Sequence, residues 1–339
     1  MAASATRKAA GPSLVGRIMG TLGRSRELTL VALMIVMAGL VTTGAPQFLS
    51  PGNLGQVTAM AAIIAIVAAG EAMVVMTKNI DMSLESTIGL VAFLVGVLLR
   101  GSLPVPAAWA VGIGVGLLLG MVNGALITAF RIPAIVVTLG TLSIFRGIVF
   151  IFAGGKQVDV ADLPPGYTDL ATDSVLGIPL FVIVAVVIVT AVALMLYKTR
   201  FGRQVYAVGS NAEAAAILGI HSRTVTFAVF ALAGMLGGIA GVMWGIYFGT
   251  IYATSASGVV LQIVAAVVVG GVSISGGTGT VVGAALGALF LALINNALLV
   301  LQMPQELLQA IYGAVILIAV SADAFLSRRH RVVAREVRA

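Results

Sequence analysis

Long apolar runs that carry almost no charge limit most strongly how this chain can fold. Of its 339 residues, 60% are hydrophobic and only 9% are charged, whereas a soluble domain carries about a quarter charged residues. A bilayer favours such runs, because one helical span needs about 20 consecutive apolar residues. The sequence therefore predicts an all-α integral membrane protein.

Hydropathy along the chain predicts ten transmembrane helices. Two of the runs, 84–99 and 258–272, are short for a full crossing, so we expect tilted, broken or re-entrant segments there. The Gly-rich segment 270–279 is expected to be non-helical backbone, buried in protein at membrane depth. The ten predicted spans are 28–46, 54–77, 84–99, 105–129, 132–153, 178–197, 224–246, 258–272, 280–301 and 307–326.

Basic residues indicate which side of the membrane each loop occupies. With the amino terminus inside and ten alternating spans, sixteen of the 19 Lys and Arg residues fall in cytoplasmic segments. Arg100 and Lys156 fall outside, and Arg146 lies within a span. Positive charge concentrates in this way on the cytoplasmic side of membrane proteins. We therefore expect both termini in the cytoplasm, and no nucleic-acid partner despite the net charge of +7.

The chain divides into one membrane domain and two basic tails. We expect residues 1–27 to form a cytoplasmic tail, because they lack the apolar core of a signal peptide, and residues 327–339 to form a second one. The domain between them, 28–326, contains a polar insert at 198–223 and an acidic outer loop at 154–177. A membrane chain rarely keeps such an insert without a partner, so we expect it to bind a separate motor protein.

The residues offer little for catalysis. Cys is absent, and the two histidines, His221 and His330, lie beside arginines without the spacing of metal ligands. The one Gly-Lys pair, Gly155-Lys156, lacks the first Gly and the Ser or Thr of a phosphate-binding loop. We expect no catalytic residue, no metal and no cofactor in this chain, so that any ATP is bound by a partner.

Polar side chains within the spans are candidates for a solute pathway. Glu71 and Arg146 are ionisable residues at membrane depth, which are functional candidates by default. If they form a pair, each lowers the cost of burying the other. The uncharged candidates have interhelical hydrogen bonding as an equally reasonable role. They are Asn123, Thr138, Thr141, Asn295 and Asn296.

The predicted cytoplasmic turn after the second span contains three charged residues, Lys78, Asp81 and Glu85. Simple solvation and the binding of a cytoplasmic partner are equally compatible with that pattern.

Glycines recur four residues apart in several spans, a spacing that places them on one helix face and favours close helix packing. They include Gly112, Gly116 and Gly120; Gly234 and Gly238; Gly237 and Gly241; and Gly283 and Gly287.

Four motifs, in this order, resemble the permease subunit of bacterial ABC importers for monosaccharides. That group handles ribose, xylose and arabinose and is distantly similar to branched-chain amino-acid permeases. The resemblance covers nearly all of 28–326. The motifs are Asn79-Ile-Asp-Met-Ser83, Ile132-Pro-Ala-Ile-Val-Val-Thr-Leu-Gly-Thr141 with Arg146-Gly147, Gly209-Ser-Asn-Ala-Glu-Ala-Ala-Ala-Ile-Leu-Gly-Ile220, and Gly270-Gly271 through Gly276-Gly277-Thr-Gly-Thr280.

The resemblance implies a type II importer permease of about ten helices in the bacterial inner membrane. It also implies a second permease, a dimer of ABC ATPase subunits inside, and a periplasmic or lipid-anchored solute-binding protein outside. Segment 209–220 then holds a coupling helix, in which Asn211 caps residues 212–218 and Gly219 ends them. The implied site residues are Gly209, Asn211, Glu213, Ala214, Ala215, Gly219 and Ile220 at the ATPase, and Asn79, Asp81 and Ser83 in the turn.

The chain departs from the common pattern of that family at two places. Lys78-Asn79 stands where Gly-Gly is usual, and Leu84-Glu85 stands where Val-Gly is usual. This charged form is similar to the rhamnose and autoinducer-2 branches. We therefore expect alternating-access import of a monosaccharide or sugar-like solute, including autoinducer-2-like solutes, driven by a separate ATPase. The alternatives are an ion-coupled secondary transporter or channel for a small polar solute, and an integral-membrane enzyme.

Overall fold

The computed structural model describes residues 26–304, 306–318 and 321. Nearly all of the predicted tails 1–27 and 327–339, and the end of the predicted domain 28–326, lie outside these residues. The described chain is mainly helical, as its composition predicts. Its helices are α1 (Arg26–Gly44), α2 (Pro51–Met76), α3 (Leu84–Arg100), α4 (Val105–Phe130), α5 (Ala134–Ala153), α6 (Leu180–Lys198), α7 (Arg200–Ser210), α8 (Ala212–Ile217), α9 (Ser222–Phe248), α10 (Val259–Val269), α11 (Val281–Val300) and α12 (Glu306–Ile318).

Short elements fill the longer connections. A 3-10 turn at Pro46–Leu49 joins α1 to α2. The loop between α5 and α6 holds a single helical turn, two 3-10 turns and a two-stranded antiparallel hairpin. These are Pro165–Thr168, Val160–Asp162 and Asp169–Ala171, with β1 (Ser174–Val175) paired to β2 (Ile178–Pro179).

Seven helices in the described chain are long and apolar enough to cross a membrane: α1, α2, α4, α5, α6, α9 and α11. The predicted spans 84–99, 258–272 and 307–326 coincide with the shorter helices α3, α10 and α12. Helix α10 has 11 residues, which is about 16 Å of helix against a hydrocarbon core of about 30 Å. The expectation of a broken segment therefore holds at 258–272, where turns lie on both sides of α10.

Helix α2 lies at the centre of the bundle. Every residue from Ala61 to Met76 is buried, which is the environment required by a helix that is apolar on all faces. Helices α1, α5 and α6 instead expose apolar side chains such as Ile35, Ile151 and Val187. Those outer faces are the ones that lipid covers in a membrane.

Glycines bring α4 and α9 into backbone contact. A methyl group on Gly116 would lie 2.5 Å from the Cα of Gly238, and one on Gly120 would lie 2.9 Å from the Cα of Gly234. Helices α10 and α11 meet in the same way, since a methyl group on Gly287 would lie 3.0 Å from the amide nitrogen of Gly270. The close packing predicted from the glycine spacing is confirmed.

The loops gather at two ends of the bundle. At the basic end, defined by Lys78, Lys198, Arg200, Arg203 and Arg223, the α2–α3 turn meets the end of α7 and the turn after α10. The amide of Gly277 donates to the carbonyl of Met76 (2.9 Å). At the acidic end, defined by Asp159, Asp162, Asp169 and Asp173, Val158 pairs with Ile251. Segments predicted to share a side of the membrane thus lie together.

Candidate functional site

A short capped helix, α8, stands at the basic end within the predicted coupling segment. The Asn211 Oδ1 accepts hydrogen bonds from the amides of Glu213 and Ala214, each at 3.0 Å. These bonds satisfy two donors that a helix start otherwise leaves free. Gly219 follows with a φ of +78°, a conformation that suits glycine. The predicted helix, its Asn cap and its Gly end are confirmed.

Helix α8 has one buried face and a large exposed one. Ala215 is buried against the bundle, whereas Glu213 and Ala214 are exposed. Ile217 and Leu218 are the notable residues, because 87% and 78% of their surfaces are exposed. Sequence reasoning missed both of them. The available signal was a pair of branched apolar residues at the end of a helix whose polar flanks lie outside the apolar spans.

The residues on either side of α8 fix its position. Gly209 lies against the carbonyl of Met76 so closely that any side chain there would overlap it. Ile220 is half-buried, and its amide donates to the carbonyl of Ala215 (3.0 Å). Both predicted residues therefore anchor the helix, and its exposed residues, among them Ile217 and Leu218, remain open.

The α2–α3 turn folds back into the bundle through a chain of polar contacts. The amide of Asp81 donates to Glu71 Oε1 (3.1 Å). Asp81 Oδ1 accepts from the amide (2.9 Å) and the hydroxyl (2.6 Å) of Ser83, and Asn123 Nδ2 donates to that hydroxyl (2.7 Å). Burial raises the pKa of Asp81, and the bonds from Ser83 oppose the rise. Asn79 is half-buried and bonds within the turn, to Thr77.

Glu71 and Arg146, considered as a pair from the sequence, do not contact each other. Arg146 points from α5 towards Glu85 of α3, with 3.8 Å between its Nη2 and Oε1. Its Nη1 donates to the carbonyls of Ala253 (3.0 Å) and Ser255 (2.7 Å). Glu71 instead accepts from the Asp81 backbone. The orientation of each helix about its axis decides such pairings, and one sequence does not supply it.

Glu85 also fastens the start of α10. Its Oε2 accepts hydrogen bonds from the amides of Gly258 (2.9 Å) and Val260 (3.3 Å). A carboxylate is a favourable acceptor for the free amides at the start of a helix.

The interpretation that the three charged residues of the α2–α3 turn are simply solvated is wrong for two of them, because only 1% of Asp81 and 8% of Glu85 is exposed. Lys78 alone of the three is exposed.

The uncharged pathway candidates make interhelical or local hydrogen bonds. Thr138 Oγ1 donates to the carbonyl of Ile80 (3.3 Å), and Thr141 Oγ1 donates to the carbonyl of Thr138 (3.4 Å). Asn296 exchanges two hydrogen bonds of 2.8 Å with Asn53, which joins α11 to α2. Asn295 is half-buried. In this conformation Glu71, Asn123, Thr138 and Thr141 are buried among helices.

At the acidic end, the α5–α6 loop is bound firmly to the helices. The side chain of Tyr167 is buried, and its hydroxyl donates to the carbonyl of Val242 (2.8 Å). Arg100 lies 3.8 Å from Asp162. The four aspartates of this loop are exposed, so the loop presents a fixed, acidic outer surface.

Comparison with known proteins agrees with this architecture. The family described as branched-chain amino acid transport system / permease component matches residues 53–320. The autoinducer 2 import system permease protein LsrC of Enterobacter sp. (strain 638) is 36% identical over 299 residues, which are 88% of this chain and 87% of that protein. The protein of that name from Salmonella paratyphi B is 38% identical over 301 residues, 88% and 86% of the two chains.

No solved structure matches the chain. The family match runs from the first turn of α2 through α12 and leaves out α1, and the relatives are matched over 88% of this chain. The chain therefore belongs to the family of branched-chain amino acid transport system permease components.

Proposed function

We propose that this chain is the membrane-spanning subunit of an ABC importer and moves a sugar-like solute into the cytoplasm by alternating access. The proposed solutes are autoinducer-2-like molecules and monosaccharides. Family membership supports a transport subunit, and the names of the relatives support the solute class. The departures at Lys78-Asn79 and Leu84-Glu85 point to the same branch.

The observation that carries the proposal is the exposed apolar face of α8. Two large apolar side chains, Ile217 and Leu218, are exposed beside the capped helix. Burying such a side chain in a partner contributes about 1.5–3 kcal/mol. A helix fixed at both ends transmits displacement better than a mobile loop does. We infer that this face binds a cleft in a separate ATPase, which binds the ATP that this chain has no motif to hold.

The other partners follow from the two ends of the bundle. The concentration of positive charge supports a cytoplasmic position for the basic end; the ATPase would then bind there, and both termini would lie on that side of the bacterial inner membrane. The exposed aspartates of the acidic end are then the docking surface for a periplasmic or lipid-anchored solute-binding protein. A second permease, identical or distinct, completes the pathway, and lipid covers the remaining faces.

The buried polar residues have a place in this mechanism. Glu71, Asn123, Thr138 and Thr141 are buried in the conformation described, and Arg146 is half-buried. Alternating access requires α3 and α5 to repack, and that motion would present these groups to a polar solute. Asn296, with its paired bonds to Asn53, is assigned a structural role instead.

Purification of the tagged chain from its native membrane, with mass spectrometry of the proteins that accompany it, tests the proposal. Recovery of an ABC ATPase and a solute-binding protein supports an importer, and a second permease identifies a mixed dimer. Recovery of this chain alone, under conditions that preserve a known ABC complex, contradicts it. Uptake that follows ion gradients and ignores ATP would favour a secondary transporter.

A further inference from the structure

Lys78 adopts a backbone conformation that a glycine adopts at lower free energy. Its φ is +63°, in the left-handed region where the Cβ of an L-residue approaches the following carbonyl oxygen. Such conformations persist where the surrounding structure enforces them, and they concentrate at functional positions. A lysine at this position therefore indicates a role for its side chain that a glycine would lack.

The side chain reaches the end of α7. Lys78 Nζ donates to the carbonyl of Ser210 (3.0 Å), the last residue of that helix. The final carbonyls of a helix have no partner within it, and a cation is favourable at the negative end of the helix dipole. The next residue, Asn211, is the cap of α8. Lys78 thus bonds to the residue that directly precedes the cap of α8.

Glycines make this approach possible. A methyl group on Gly276 would overlap the aliphatic stem of Lys78, and one on Gly277 would lie 2.8 Å from the backbone of Ser210. The amide of Gly277 also donates to the carbonyl of Met76, the last residue of α2. We call this meeting of Met76, Lys78, Ser210, Gly276 and Gly277 the lysine junction.

We propose that Lys78 is a positioning residue that fastens the leading end of α8 to the central helix α2 and to the turn between α10 and α11. Through the lysine junction, a displacement of α8 acts on α2 and the Gly-rich turn together. This proposal rests on the proposed function, because it assumes that a motor displaces α8. It assigns to Lys78 the transmission of that displacement.

Amide hydrogen exchange of the full chain tests the fastening without any motor. Replacing Lys78→Met keeps the backbone strain and the stem but removes the ammonium group. We expect the amides of Glu213 and Ala214, which bond to Asn211, to exchange about fivefold faster, as suits the loss of one partly exposed charge-assisted hydrogen bond. Lys78→Arg, which keeps a cationic donor, should exchange like the unsubstituted chain.

Lys78→Gly separates positioning from stability. Glycine removes the left-handed strain, so this variant should unfold at the same temperature or higher. In the complete complex reconstituted in liposomes, Lys78→Gly and Lys78→Met should each move several-fold fewer solute molecules per ATP hydrolysed, while the ATPase remains bound. A residue with a merely structural role would lower the unfolding temperature and leave that ratio unchanged.

Each result decides the proposal. Faster exchange and a lower transport ratio in both Lys78→Met and Lys78→Gly support it. Unchanged exchange in Lys78→Met, or faster exchange with an unchanged ratio, overturns it. If the unsubstituted complex shows no ATP-driven transport, the proposed function fails and the transmission role fails with it, whatever the exchange result. An unsubstituted complex that transports, beside variants that transport equally well, contradicts the role of Lys78 alone.

Discussion

Asn211 is the residue on which the geometry of α8 depends most. It accepts two amide hydrogen bonds at the start of a helix of only six residues. A helix this short does not form by propensity alone, so the cap and the packing of Ala215 set its orientation. The residues that α8 exposes are consequently set by this cap together with the packing of Ala215.

Replacing Asn211→Ala should cost about 1 kcal/mol of local stability, because two amides lose their acceptor. The measurement is amide exchange at Glu213 and Ala214, with Asn211→Asp as the control that keeps an acceptor oxygen. Exchange rates in Asn211→Ala equal to those of the unsubstituted chain would show that the cap does not hold the helix.

Glu85 is the residue on which the packing of α3, α5 and α10 depends. Replacing Glu85→Ala removes the carboxylate that faces Arg146 and the acceptor of two backbone amides, and breaking a buried ion pair in this way costs about 3–5 kcal/mol. We expect a clearly lower unfolding temperature in detergent. Glu213→Ala, the same change at an exposed position, is the matched control and should leave it almost unchanged; equal unfolding temperatures for the two variants would refute the assignment.

Local and distant contacts differed in how far one sequence could predict them. The Asn211 cap and the Gly219 end were predictable, because both act within a few residues of the chain. The partner of Arg146 was not, because it depends on how α3 and α5 are rotated and on a loop more than one hundred residues away. Ile217 and Leu218 were overlooked, since exposure is visible only when the bundle is assembled.

Among the helices, α4 and α9 pack most closely, and glycine is the cause. Replacing Gly116→Ala should destabilise the bundle by about 1–3 kcal/mol, because the added methyl group meets the backbone of α9. Gly114→Ala is the matched control in the same helix, since a methyl group there meets nothing within 4 Å. Thermal unfolding of the two variants measures the difference, and equal unfolding temperatures would contradict backbone contact between the helices.

The hydropathy pattern predicts the bounds of the long helices but not the contacts that a short helix needs. Long spans such as α2 and α9 were predictable to within a few residues, because hydropathy alone marks them. The run 258–272 was recognised as too short, yet the sequence does not show that Glu85 binds the start of α10. A helix that begins inside the bundle needs such a partner for its free amides, and the partner comes from another span.

In the whole molecule, the basic end and the acidic end are expected to lie on opposite sides of the membrane. The chain has no Cys, so a single introduced cysteine can report on which side its position lies. With Leu176→Cys at the acidic end, we expect labelling of intact cells by a membrane-impermeant thiol reagent; with Glu213→Cys at the basic end, we expect labelling only after permeabilisation. The reverse pattern would invert the proposed orientation and contradict the positive-inside assignment.

ATP-driven uptake of a sugar-like solute into liposomes that hold the complete complex tests whether this chain is an importer subunit driven through α8. We expect ATP-dependent uptake by the unsubstituted complex, and loss of both uptake and ATPase binding when Ile217 and Leu218 are both replaced by Asp. Replacing both residues by Met, which keeps large apolar side chains at the same positions, should retain uptake and ATPase binding. Uptake that needs no ATP, or that persists with both aspartates present, would contradict the proposed function.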